Sequence, residues 1–367
     1  MKILYIANIR LPTEKAHGIQ IMNMCEALAN LGHKVELVTP WRFNFIKSNP
    51  FDYYGVEKNF KITKLPSLDL VRFGRIGFWV QSASFAKIAS WYALLKKTDI
   101  IYSRDELPLW LLSFFKKNIV WEAHMPRDNV ISLSIIRRIK KIVTISQGLK
   151  DFYIKKRVPS EQILVAHDAV NFDNFAINVS KEEVRQKLNL PIDKSIAMYI
   201  GRIDPWKGVK TLLEASKLMD FIQVVVIGEG DDLENFKKEY KNVIFTGFLP
   251  YRDLPYNQQA ADVLIIPNSK KSKVSALYTS PLKVFAHMAS GIPIVASDLP
   301  SIREILNENN AMLVAPDNAN ALADGIKGVL SDGVNAKKRS NQALNDVQNM
   351  YTWDKRAGNI ISFIKAI

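Results

Sequence analysis

KILYIANIRLPTEKAHGIQIMNMCEALANLGHKVELVTP, residues 2–40, sets the architecture. Its opening, KILYIA (2–7), is a short apolar run that reads as a buried strand. Ile19 to Leu31 then places Ile21, Met24, Cys25, Leu28 and Leu31 on one helical face, and Gly32 ends the segment. KVELVT (34–39) is the next strand. Strand, helix, strand is the unit of a parallel sheet, because parallel neighbours need a crossover connection. The alternation continues at DIIYS (99–103), NIVWEA (118–123), KIVTI (141–145) and QILVA (162–166). It restarts with a strand at 195–200 and a turn and helix over Lys207 to Met219. Strands follow at IQVVVIG (222–228), NVIFTG (242–247), DVLIIP (262–267), IPIVAS (292–297) and AMLVAP (311–316). The chain reads as two doubly wound α/β domains of similar size, with a boundary in the polar stretch 172–194. Ligands of such sheets bind outside the carboxyl ends of the strands, so two facing domains would enclose an interdomain cleft.

Composition narrows the classes. Of 367 residues, 48% are hydrophobic and 23% charged, which excludes long disorder, a collagen-like array and a small disulfide scaffold. The single cysteine, Cys25, cannot form an internal disulfide and suits a reducing compartment. No Cys/His cluster has zinc spacing. The N-terminal MKILYIANIR is broken by Asn8 and carries no small-residue cleavage site, so it is not a signal peptide. The apolar run Ile76 to Ala86 lies between Arg75 and Lys87, far short of the roughly 20 residues a transmembrane helix needs. A cytoplasmic protein is expected, free or peripheral on the inner face of the membrane. Net charge is +14 and lopsided: residues 1–178 carry 26 Lys+Arg against 15 Asp+Glu, and residues 179–367 carry 24 against 21. An acidic partner for the first half follows. No nucleic-acid motif is present, so nucleic acid is not expected to be that partner.

Three loops hold the candidate chemistry. ANIRLPTEKAHGIQ (7–20) lacks G-x-G-x-x-G, which argues against a nicotinamide dinucleotide there. Gly18 could let bare backbone N–H groups approach an anion at a helix start, or serve only as a turn glycine; His17 stands beside it. In YIGRIDPWKGVKTLLEA (199–215), Arg202 and Lys207 flank a short loop before a helix, an arrangement suited to a diphosphate. In YTSPLKVFAHMASGIPIVAS (278–297), Ser280 reads as an N-cap and Pro281 as the first helical residue. The free amides of Leu282 and Lys283 then favour phosphate.

Taken in order, six segments resemble a glycosyltransferase of the GT-B fold, within the large retaining family numbered four. They are GRIDPWKG (201–208), VIGEGDDL (226–233), FTGFLP (245–250), ADVLIIPNS (261–269), SPLKVFAHMASG (280–291) and IVASDLPSIREIL (294–306). The resemblance implies two facing Rossmann-like doubly wound domains: 1–175 for the acceptor and 176–350 for the nucleotide-sugar donor. Residues 351–367, with Ile360, Phe363 and Ile364 on one stripe, would form a helix that returns to the first domain. By resemblance, Arg202 and Lys207 hold the donor diphosphate, the amides near Leu282 and Lys283 assist, and the backbone around Leu249 contacts the base. WEAHMPR (121–127) resembles the strand end whose histidine lies near the reacting sugar, which nominates His124. VAHDAVNFDNF (165–175) resembles the entry to the interdomain linker, where His167 and Asp168 are structural, and TISQGLKDF (144–152) resembles a turn facing the cleft. The family's paired acids, a Glu, seven residues and a second Glu, fall on Tyr278 and Ala286. The first acid is often missing from the SPLK subgroup; the second usually binds the ribose, and Ala286 cannot. The chain is then an inactivated variant, an enzyme that grips the ribose otherwise, or a non-catalytic homologue.

The chemistry so implied moves a sugar from a nucleotide-diphosphate donor to a hydroxyl with retention. Charge developing on the leaving diphosphate is met by Arg202, Lys207 and the helix start, so no metal or other cofactor is called for, and no Asp-x-Asp motif occurs. WRFNFIK (41–47), VRFGRIGFWV (71–80), WLLSFFKK (110–117) and IIRRIKK (135–141) mix bases with aromatics as segments resting on anionic membrane do. That would suit a polyprenyl-linked or other lipid-linked glycan acceptor in surface polysaccharide synthesis. The competing classes are a non-catalytic sugar-nucleotide-binding homologue and a sugar-nucleotide epimerase.

Overall fold

A computed structural model of the chain describes residues 1–366. The chain divides into two compact units, Met1–His167 with the chain from Trp353 onward, and Asp168–Thr352. The division falls ahead of the 172–194 stretch. The reason is local pairing: the Val170 amide donates to the Tyr351 carbonyl at 3.0 Å, and Phe172 and Phe175 pack on the second unit's core.

The first unit is built on seven strands: β1 (Lys2–Ile6), β2 (Lys34–Pro40), β3 (Lys61–Leu65), β4 (Ile100–Ser103), β5 (Ile119–Ala123), β6 (Ile142–Thr144) and β7 (Ile163–Val165). Their order is β3-β2-β1-β4-β5-β6-β7, and every pair is parallel. Central strands covered on both faces must be apolar throughout, and β4, β5 and β6 are buried at every position. KITKL, which forms β3, escapes the apolar-run reading because it is an edge strand. Its exposed Lys61 and Lys64 guard the open edge. The helix Trp353–Ala366 packs on the helix Ala16–Asn30 and buries Trp353, Arg356, Ile360, Ile361 and Ile364; Phe363 is half-buried.

The second unit has six strands: β8 (Ser195–Ile200), β9 (Ile222–Ile227), β10 (Val243–Gly247), β11 (Val263–Ile266), β12 (Ile294–Ser297) and β13 (Met312–Val314). The order β10-β9-β8-β11-β12-β13, again all parallel, repeats the plan of the first sheet. Each unit is thus a Rossmann-like doubly wound α/β sheet. Strand order reverses between β1 and β4 in one and between β8 and β11 in the other, and the carboxyl ends at those points are where such sheets hold ligands.

Candidate functional site

In the second unit the reversal point gathers cations. The loop after β8 carries Arg202 and Lys207; the loop after β11 carries Pro267, Asn268 and Ser269. The two loops touch through backbone. Gly208 sits at φ +69°, and a Cβ there would strike the Pro267 carbonyl oxygen. The Trp206 carbonyl accepts from the Ser269 amide at 3.0 Å and from Ser275 Oγ at 3.3 Å. Ser275 belongs to a π-helical turn, Val274–Tyr278, just ahead of the helix Leu282–Ala289. The loop with Lys207 is therefore tied to the segment that delivers Lys283.

Arg202 is mostly exposed, and its Nε donates to Asp204 Oδ1 at 3.3 Å within the same loop. Lys207 Nζ lies 4.8 Å from the Trp206 ring centroid. Burial lowers the Lys207 pKa; Asp204 raises it, and Arg202 lowers it further. Lys283 Nζ sits 4.6 Å from the Tyr199 ring centroid, buried and without a hydrogen-bond partner. Burial, then the charge of Lys207, hold its pKa well below the ordinary lysine value. Arg202 acts on Lys207 and Lys207 on Lys283, so the three cations form one cluster.

Two expectations about the neighbouring helix are corrected. Ser280 is not its cap: Pro281 is, with no side-chain bond, and Leu282 is the first helical residue. Ser280 Oγ instead accepts the Asp168 amide at 2.9 Å, because the polar backbone at the start of the second unit needs a partner when buried. The first helical bond is Val284 N to Pro281 O, 2.9 Å, which lies beyond the amides of Leu282 and Lys283. Ala286 is wholly buried, three residues along from Lys283, and puts no carboxylate at that position. His287 beside it is buried; Gln258 Nε2 donates to its Nδ1 at 2.6 Å, and burial followed by Lys283 takes its pKa down to about 3. Tyr278 is half-buried at the end of the π turn, and Leu249 is half-buried against the core after β10.

In the first unit the centre is a residue the motif reading passed over. Glu122 lies in β5, two positions before His124, and its side chain is fully enclosed. Gln20 Nε2 donates to its Oε1 at 2.6 Å, His124 Nε2 at 2.7 Å and Arg356 Nη2 at 2.9 Å; the Tyr102 hydroxyl donates to Oε2. Burial alone would raise the Glu122 pKa, but Arg356, His124 and Arg104 hold it well below the carboxylate range. Burial, followed by Arg104, brings His124 down to about 4 despite Glu122. His124 is then neutral near pH 7, with its Nε2–H committed to Glu122 and Nδ1 left as an acceptor. Arg104 Nη1 donates to Gln20 Oε1 at 2.7 Å, and Arg356 Nε to the His167 carbonyl at 2.8 Å. His167 Nδ1 bonds the Ile145 carbonyl at 3.0 Å, in keeping with a structural part.

Gly18 is a correction. It lies inside the first turn of Ala16–Asn30, and its amide donates to the Lys15 carbonyl at 3.0 Å, so it offers no bare N–H. A side chain there would meet the Tyr54 hydroxyl and the Thr13 methyl, and glycine is needed for that close approach. His17, half-buried, is lowered to about 4, by burial first and then by Arg104 and Lys15.

Strand alternation could have exposed Glu122, since residues two apart in a strand share a face and a charge inside a buried strand demands partners. Nothing in the sequence pairs it with Arg356, more than two hundred residues away. Among the described residues, no group of three or more His, Cys, Asp or Glu side chains is arranged to hold a metal ion.

Comparison with known proteins follows the same division. The family described as Glycosyl transferases group 1 matches residues 180–346, and that described as Glycosyltransferase Family 4 matches residues 18–174. An uncharacterized glycosyltransferase of Methanocaldococcus jannaschii is 27% identical over 240 residues, 61% of this chain and 60% of the relative. The chain thus spans less than two thirds of that relative's length. The phosphatidyl-myo-inositol mannosyltransferase of Mycobacterium leprae is 26% identical over 71% of this chain and 70% of its own. Among solved structures, sucrose-phosphate synthase from Thermosynechococcus elongatus superposes with a TM-score of 0.78 at 21% identity, over 100% of this chain and 98% of its own. Anabaena HepE in complex with UDP-glucose gives 0.77 at 15%, over 100% of both. At these identities the structural likeness speaks for the fold.

Proposed function

We propose, from the premise that this chain is a family-4-like glycosyltransferase of GT-B type, that it moves a sugar from a nucleotide-diphosphate sugar to an acceptor hydroxyl with retention of configuration. The observation that carries this reading is the Lys283 amine, buried without a partner in one cluster with Lys207 and Arg202. A diphosphate is the counter-charge such a cluster lacks. Arriving there, it would favour the charged form of Lys283, and as leaving group it would have its growing charge met by ammonium, guanidinium and the amides of Leu282 and Lys283. The cations do what a divalent ion does elsewhere, so the reaction runs without a resident metal. His124, neutral and fixed in one tautomer by Glu122, is suited to accept a hydrogen bond from a sugar hydroxyl through Nδ1. The departing phosphate oxygen takes the acceptor's proton on the same face of the sugar.

Ala286 leaves the ribose without the family's carboxylate, and binding then falls on the diphosphate cluster and on backbone near Leu249. A uridine diphosphate sugar is the first donor to try, since HepE was solved with UDP-glucose. The acceptor is read as a lipid-linked glycan and the setting as the cytoplasmic face of a membrane; a phosphatidylinositol is the acceptor named for the Mycobacterium relative. The test is a thermal-shift panel of uridine and guanosine diphosphate sugars against the chain, its Lys207→Ala variant and its Ala286→Glu variant. Stabilisation of the chain, lost in Lys207→Ala and increased in Ala286→Glu, is expected. No shift with any donor in any of the three proteins would overturn the reading.

A further inference from the structure

The helix Gly74–Leu95 buries one face, through Gly77, Gln81, Phe85, Ala86, Ala89 and Ala93, and leaves the other bare. On the bare face stand Ile76, Trp79, Lys87, Trp91 and Leu95, four or eight residues apart from Trp79 onward. Trp79 is 59% exposed, Trp91 68% and Leu95 75%. Such exposure of large apolar side chains along a single helix is not the scatter normal on a soluble surface. The face continues past its amino end. Phe73 is exposed, and the loop that follows β2 brings Trp41, Phe43 and Phe45, all exposed. The Trp41 amide is bonded to the Leu65 carbonyl at 2.6 Å and Ser67 Oγ to the Trp41 carbonyl at 3.0 Å, which holds that loop against the segment leading into the helix.

Charge selects the occupant. Residues 71–98 contain five Lys or Arg (Arg72, Arg75, Lys87, Lys96, Lys97) and no Asp or Glu. The acids on either side are already engaged: Asp69 pairs with Arg42 at 3.2 Å and accepts the Phe43 amide, and Asp99 accepts the Lys2 amide at 2.7 Å. Lys96 pairs with Glu36 at 3.4 Å, and a second copy of the chain docking symmetrically would set the other four cations against their equals. A sheet of anionic headgroups over hydrocarbon offers complementary charge and a place for the tryptophans at once.

We propose that the outer face of Gly74–Leu95, with the aromatic loop Trp41–Phe45, is a docking surface for an anionic lipid bilayer. The helix lies in the plane of the headgroups, with Trp79, Trp91 and Leu95 inserted and the lysines at phosphate level. No helix among the described residues is long and apolar enough to cross a membrane. The surface stands on its own observations and does not depend on the transfer reaction.

The test is flotation of the full chain with vesicles of phosphatidylcholine alone and of phosphatidylcholine with phosphatidylglycerol. Compared are Trp79→Ser/Trp91→Ser and Lys87→Gln/Lys97→Gln, all exposed positions, each first matched to the parent by circular dichroism and thermal melting. Binding to the anionic vesicles only is expected. It should fall about tenfold or more in the tryptophan pair, and about fivefold per lysine in the other. Absence of binding, equal binding to neutral vesicles, or undiminished binding by both variants would overturn the proposal. So would a dimer, measured by light scattering, that the tryptophan variant dissociates, since the face would then belong to a second copy.

Discussion

Arg356→Met is the substitution whose consequences the structure predicts most sharply. Arg356 and Glu122 are both sealed from solvent, with an N–O distance of 2.9 Å, and Arg356 also caps the carbonyls of His167 and Ala166. Removing one member of a buried ion pair costs about 3–5 kcal/mol, because the other charge stays buried. Two carbonyls losing their donor add about 1 kcal/mol each. Three donors remain on Glu122, from Gln20, Tyr102 and His124, so the lower end of the range applies and a net loss of about 5 kcal/mol is expected. That is a large share of a domain's usual margin of about 5–15 kcal/mol. The pH dependence carries the diagnosis. In the parent, the depressed Glu122 pKa contributes stability that is present above its unfolded value of about 4.3 and is lost as pH falls through the folded value. Without Arg356 burial wins, the folded pKa rises, and the protonated form becomes the native one. The deficit of the variant is therefore greatest near neutrality and shrinks as pH falls through the raised pKa toward about 4.3. Urea unfolding by circular dichroism at about pH 7 and about pH 5 reads both, on the transition that moves between parent and variant. The double variant Glu122→Gln/Arg356→Met should lose much less than the two single losses combined. A loss below about 1 kcal/mol at neutral pH, or one equal at both pH values, refutes the claim that Arg356 holds Glu122 as a carboxylate.

Lys283→Met should act in opposite directions on stability and binding. The free protein gains about 1–3 kcal/mol as an unpartnered buried amine disappears, and donor affinity falls at least tenfold, read by melting with and without nucleotide sugar. Gly208→Ala sets a side chain against the Pro267 carbonyl at a left-handed φ; a loss above about 1 kcal/mol and weaker donor binding are expected from the same measurement. His124, brought down to about 4, should titrate there in its ring-proton NMR signals, with an Nε2–H tautomer above that pH. Because its folded pKa lies below the unfolded value, His124 costs stability as pH falls from about 6.5 toward 4, the opposite of a histidine that gains an acidic partner's full benefit. A midpoint above 6 would refute its burial beside Arg104.

Most of the fold was legible because buried parallel strands must be apolar along their whole length. KILYIA, NIVWEA, IQVVVIG and DVLIIP therefore announce themselves, whereas the lysine-bearing edge strand KITKL does not. In the second unit, Arg202 and Lys207 are legible as cations of one loop and Lys283 only as a backbone amide at a helix start, since these are local features; that the Lys283 amine joins the cluster is not. Gly18 and Ser280 were misread for a related reason. Each sits where a local rule predicts a helix start, and each is claimed by something remote in the chain: Tyr54 for the glycine and the Asp168 amide for the serine.

Unaided, the order of residues determined two doubly wound sheets and the loops that carry the cations, because hydrophobic period and turn chemistry act over a few neighbouring positions. Which cation is left bare was decided only by folding: Lys207 in its loop and Lys283 at its helix start are alike in sequence until packing sets the Lys283 amine over Tyr199 and supplies it no partner. The state of His124 was decided the same way, since Glu122 stays ionised only when a helix from the far end of the chain brings Arg356 against it. A charge's cost and its remedy both depend on how much water and which counter-charges surround it, and those are properties of the assembled interior.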